Sequence, residues 1–166
     1  MNTVQWLAFR GVVTAVTDFP IGQNEETQGC YKIIIVQQQE NVVHFVVSPD
    51  TYVVNGAGLA NGDTLTGYYD GNAPVPLIYP PQYRALVIVR EEPDQQVKVD
   101  FFNEQLVSRD GLLQLTLSPR TLIRLTNGLD FTGYPGNHDL IVIYGPATKS
   151  IPARTVPYRV IVWCGQ

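Results

Sequence analysis

The sequence predicts an all-β chain built of two tandem repeats, and three observations carry that prediction. Ser48-Pro49-Asp50-Thr51 returns, altered, as Ser118-Pro119-Arg120-Thr121. The apolar segments are short, rich in β-branched residues and punctuated by glycine and proline, which is the pattern of strands and turns. No segment joins an extended helical period to caps, so at most one helical turn is expected, in residues 55–62 or 122–127.

Ala8 to Val16 reads as the first strand, with Val12, Val13 and Val16 β-branched and Gly11 permitting a bend. Asp18 to Gly29 is polar and holds Pro20, Gly22 and Glu25-Glu26, so a loop or long turn is predicted there. Tyr31 to Val36 and Val42 to Val47 form a predicted hairpin around Gln37 to Asn41. Val43, Phe45 and Val47 align with Leu113, Leu115 and Leu117 and are the expected core positions. The alternate pairs, His44 with Gln114 and Val46 with Thr116, are expected to face outward.

Past the Ser-Pro-x-Thr motif each repeat has a variable, glycine-rich connection, longer in the second copy. Leu65, Gly67 and Tyr69 then align with Leu140, Val142 and Tyr144, and Tyr83-Arg84 with Tyr158-Arg159. Proline-rich linkers, 72–83 and 146–158, lead into the last strand of each copy. Glu91-Glu92-Pro93-Asp94-Gln95-Gln96 marks the boundary, giving domains 1–92 and 93–166. Val97 to Phe102 and Leu112 to Leu117 are expected to mirror the Tyr31 and Val42 strands, which leaves the second copy without a counterpart of the Ala8 to Val16 strand.

Five strands per copy, a hairpin of strands two and three, and a long connection before strand four together match an oligonucleotide/oligosaccharide-binding (OB) barrel. The expected fold is therefore two tandem OB-like (Greek-key) barrels packed together. Residues Gly67 to Tyr83 and Tyr144 to Pro152 resemble uncharacterised bacterial proteins built of such tandem OB-like β-barrel repeats. That resemblance implies a fold and no established activity.

Composition narrows the function classes. Hydrophobic residues make up 45% and charged residues 16% of the chain, enough apolar material for a core. No apolar run approaches the roughly 20 residues of a membrane-spanning helix. The N-terminus lacks the basic start and apolar centre of a signal peptide, so a cytoplasmic location is expected and no membrane partner. The net charge is −4; residues 1–95 carry four basic and ten acidic side chains, residues 96–166 seven basic and five acidic. An acidic first half disfavours a phosphate backbone.

No catalytic motif is present: there is no phosphate-binding glycine loop, no G-x-S-x-G, no H-E-x-x-H and no C-x-x-C. No catalytic residue, cofactor or metal site is assigned. Asp63, Asp70 and Asn72 sit near glycines but lack calcium-loop spacing and read as turn formers. His138 stands beside Asp139 with no second imidazole nearby in sequence. Cys30 and Cys164 are too few for a disulfide framework; partly buried thiols are expected, and a bridge between them stays open.

Tyrosine and proline density is the remaining signal. Tyr68, Tyr69, Tyr79 and Tyr83 lie close together with Pro74, Pro76, Pro80 and Pro81. Prolines hold a linker extended and tyrosines supply amphipathic contact area, so these residues either form a binding surface or cover their own barrel. The leading expectation is a non-enzymatic interaction module that binds a protein partner or a second copy of itself. The alternative is single-stranded nucleic acid or oligosaccharide on the barrel face of strands two and three, with Tyr31 and His44 contributing.

Overall fold

A computed structural model describes residues 3–19 and 29–165. The chain divides into two compact units, Met1–Glu91 and Glu92–Gln166. Both are all-β; among the described residues the only helical segment is a 3-10 turn at Val54–Gly56. The predicted loop between Asp18 and Gly29 falls mostly on residues outside the described ones.

Unit 1 contains β1 (Trp6–Asp18), β2 (Lys32–Gln38), β3 (Asn41–Val47), β4 (Tyr52–Val53), β5 (Thr64–Asp70), β6 (Gln82–Arg84) and β7 (Val87–Arg90), joined in the order β4-β7-β5-β1-β2-β3-β6. The long β1 is shared: its first half pairs with β5 and its second with β2, both antiparallel. Gly11 stands near the changeover because a Cβ there would lie 2.6 Å from the Gln37 carbonyl oxygen, and the register shifts between Val13 and Ala15. Such a bulge sharpens the local twist, as a strand serving two neighbours requires. The β2–β3 hairpin closes over Gln39 and Glu40, with Gln39 at φ 54°. Parallel pairing then joins β3 to β6, and β5 runs antiparallel to β7.

Val13, Ile34, Val36, Val43, Phe45, Leu65, Ala85 and Ile88 form the core of unit 1. One predicted outward position is corrected: Val46 is 8% exposed, although it alternates with Phe45. A strand enclosed on both faces reads as continuously apolar, and this end of β3 is such a case. Val47, expected in the core, is only half-buried.

Unit 2 contains β8 (Gln96–Phe102), β9 (Leu113–Leu115), β10 (Leu122–Leu125), β11 (His138–Tyr144), β12 (Ala153–Thr155) and β13 (Arg159–Trp163). They join as β10-β13-β11-β8 and as a separate β12-β9 pair. Phe102, Leu106, Leu113, Leu115, Leu140, Val142, Val160 and Val162 form its core. Residues 122–125, a candidate helical turn, are strand β10 instead.

Strand pairing corrects the expected alignment of the repeats at two places. β8 does not mirror β2: Lys98 pairs with Val142 as Phe9 pairs with Gly67, so β8 takes the place of β1. Phe102 thereby falls where Val13 does, and Asn137 donates its N–H to the Phe102 carbonyl as Gly62 does to Val13, both at 2.8 Å and both with positive φ. What unit 2 has reduced is the counterpart of β2, present only as isolated bridges from Ser108 to Phe102 and from Val107 to Gln114. Polar side chains pin that segment: Asn103 Oδ1 accepts the N–H groups of Gln105 and Val107, and Asp110 accepts from Lys98, the Ser108 hydroxyl and the Leu112 N–H.

The second correction concerns the last strand. Tyr83 pairs with Phe45 whereas Thr155 pairs with Leu115, and Val87 pairs with Tyr52 whereas Arg159 pairs with Leu122. Tyr83 therefore corresponds to Thr155 and Arg84 to Val156, not to Tyr158 and Arg159. The sequence match of the two Tyr-Arg pairs is three residues out of structural register.

Candidate functional site

The repeated Ser-Pro-x-Thr motif is a turn lock. In unit 1 the Ser48 N–H donates to Thr51 Oγ1 (3.0 Å), the Thr51 N–H to the Ser48 carbonyl (3.0 Å) and the Asp50 N–H to Ser48 Oγ (3.2 Å). Thr51 Oγ1 itself donates to the Ala85 carbonyl at 2.8 Å, tying the turn to the last strand. Unit 2 repeats each contact, with Ser118, Arg120 and Thr121 in place and Thr121 Oγ1 donating to Pro157 at 3.1 Å. The serine and threonine hydroxyls thus take part in holding the turn itself.

The tyrosines of the first linker separate into two groups. Tyr69 and Tyr83 stack with ring centroids 4.0 Å apart and planes 7° from parallel, and both rings tilt against the fully buried Phe45. They cover the core of unit 1. Burial, then the charge and hydrogen bond of the Tyr83 phenol, push the Tyr69 hydroxyl up to about 12. Tyr68 points to the other side of β5 and is half-buried. Tyr79, by contrast, is 81% exposed.

Tyr79 belongs to an exposed apolar loop within the 72–83 linker, whose aliphatic residues were not among the expected contact residues. Leu77 is 100% exposed, and Val75 and Ile78 are exposed beside it. Asp70 fixes the start of this loop, its Oδ1 accepting the N–H groups of Gln5 and Asn72. Its end is fixed by the His44 N–H, which donates to the Pro81 carbonyl at 2.9 Å. Pro74, Pro76, Pro80 and Pro81 carry no N–H, so the intervening chain requires fewer hydrogen-bond partners than an ordinary loop. For Val75, Leu77 and Ile78 the cue in the sequence is apolar residues interleaved with prolines, where neither strand nor helix can form.

Unit 2 presents the equivalent loop in another form. Thr148 and Arg154 bond to each other across it through N–H to carbonyl and N–H to hydroxyl contacts, and Ser150 Oγ donates to the Pro152 carbonyl at 2.7 Å. At its tip Ile151 is 86% exposed. In the corrected register Ile151 is the counterpart of Tyr79, and both precede a cis-proline.

The remaining candidates are dispersed. Tyr31 is half-buried just before β2, its carbonyl accepting the Phe19 N–H. His44 lies on β3 between Ile35 and Gln82. His138 Nδ1 lies 2.8 Å from the Gly136 carbonyl and its ring meets Phe131 edge-on. Asp63 Oδ2 accepts the Ala60 N–H, a turn contact like those of Asp70. Among the described residues no three His, Cys, Asp or Glu side chains gather as a metal site. Cys30 and Cys164 are exposed, which corrects the expected partial burial, and they form no disulfide.

No protein-family model, curated protein or solved structure matches this chain.

Proposed function

We propose that the protein is a non-enzymatic interaction or assembly module made of two OB-like units, which grips a protein partner or a second copy of itself through the loops at 72–81 and 145–152. The OB-like reading of unit 1 draws on its strand order. β6 pairs with β3 and β7 with β5, yet β6 and β7 are separated only by Ala85 and Leu86, so hydrogen bonding leads from β3 around to β5 through one stretch of chain. Unit 2 has the same relation through β12 and β13.

One observation carries the interaction reading. The same place in both repeats, occupied by Tyr79 and Ile151, holds an apolar residue more than four-fifths exposed, and in unit 1 Leu77 beside it is completely exposed. Single exposed apolar residues are ordinary, but a clustered and repeated exposure marks a contact surface. The restrained loops lose little entropy when they dock.

Single-stranded nucleic acid draws less support, since Lys32, the cation at the start of β2, is already paired with Asp18. Light scattering, joined to cross-linking and capture from lysate, tests the proposal. Leu77→Asp with Tyr79→Ser should lower the assembled mass or lose the captured chain, and Ile151→Asp should weaken it further. A strict monomer with no captured chain, or assembly unaffected by all three changes, sinks it.

A further inference from the structure

Unit 2 contains an open cleft of about 590 Å³ beside β12. Thr155 lies at this place in unit 2; its counterpart in unit 1 is Tyr83, whose ring stacks on Tyr69. The Thr155 side chain is short and buried, and its hydroxyl donates to the Pro146 carbonyl at 2.7 Å. Pro146, Ala147 and Val156 give the cleft apolar walls, Thr116 and Thr148 border it, and Arg154 supplies its charge. Arg154 stands where unit 1 has the neutral Gln82. Residues 140–166 include Lys149, Arg154 and Arg159 and not one Asp or Glu, so no acidic side chain from this stretch offsets the guanidinium.

From this juxtaposition we infer that the cleft of unit 2 is a binding site for a small organic carboxylate with a flat apolar body. The volume lies within the roughly 300–1,000 Å³ of small-molecule clefts. An apolar body fits against Pro146, Ala147 and Val156. A single planar guanidinium matches one carboxylate through two parallel N–H···O bonds. A doubly charged phosphate would lose more hydration against these apolar walls than one arginine returns.

3-Phenylpropionate is the probe, followed by amide NMR shifts of the full chain at low ionic strength. Saturable shifts are expected at Ala147, Thr148 and Arg154. The neutral 3-phenylpropanamide and the Arg154→Gln variant should each weaken binding about tenfold or more, the usual effect of removing a charge-assisted hydrogen-bond pair. Ala147→Trp, on the exposed loop, should block the cleft while leaving the rest of the spectrum in place. The inference is overturned by the absence of saturable shifts up to about 10 mM probe, by equal binding of the amide, or by binding that survives both variants. Pro146, Ala147 and Thr148 belong to the 145–152 loop, so the titration is repeated on the Leu77→Asp, Tyr79→Ser, Ile151→Asp protein, where probe binding is read without assembly and the two proposals stand or fall apart.

Discussion

Tyr69 shows how a residue that looked like part of a binding surface serves packing instead. Its hydroxyl, pushed up to about 12, is harder to ionise in the folded chain than in the unfolded one, where about 10 is usual. The contribution is fully present below the unfolded value and disappears as pH rises through the folded one. Urea midpoints should therefore fall between about pH 10 and 12, and Tyr69→Phe should make that fall shallower. Gly67 is a second residue whose role is spatial. A Cβ there would lie 2.5 Å from the Phe45 ring, which is fully buried and has nowhere to go. Gly67→Ala should cost about 1–3 kcal/mol, as overpacking does, read as a lower urea midpoint with unchanged slope.

At the scale of the element, the Ser-Pro-x-Thr turn joins a strand end to the last strand in both units, through Thr51 in one and Thr121 in the other. Thr51→Val and Thr121→Val should each destabilise their own unit by about 1–2 kcal/mol, the cost of one lost hydrogen bond plus a backbone N–H left without its acceptor. This motif was legible in the sequence because the same four residue types recur, and the Val43, Phe45, Leu113 and Leu115 core was legible from alternation. Val46 was not, because alternation assumes one wet face and this strand end has none. The place of β8 was also hidden: Val97 to Phe102 has the composition of any strand, and only its pairing to β11 identifies it with β1. The Tyr-Arg coincidence misled in the same way, since two shared letters outweighed a register that depends on partners far away in the chain. The exposure of the aliphatic loop residues was illegible for another reason. Leu77 and Ile151 have the chemistry of core residues, and nothing local records that the chain carries them outward.

At the scale of the molecule, one buried cluster is drawn from residues 13 to 88 and the other from residues 102 to 162. Separately expressed fragments 1–91 and 92–166 should each give a dispersed amide spectrum and a cooperative melt. A collapsed or unfolded 92–166 fragment would show that its reduced β2 counterpart needs support from outside. The division of charge also changes with the true boundary. Met1–Glu91 carries four basic and eight acidic side chains, whereas Glu92–Gln166 carries seven of each. The acidic character belongs to unit 1 alone, so ionic strength should act on associations made by that unit more than on those made by the other.

The two exposed thiols have a practical consequence. Cys30 lies in unit 1 and Cys164 in unit 2, so the native sequence already carries one labelling handle per unit. Maleimide spin labels or a dye pair on unmodified protein would read the distance from one unit to the other. A narrow distribution means a fixed body and a broad one a tether that swings, and the same two labels would register whether gripping a partner narrows it.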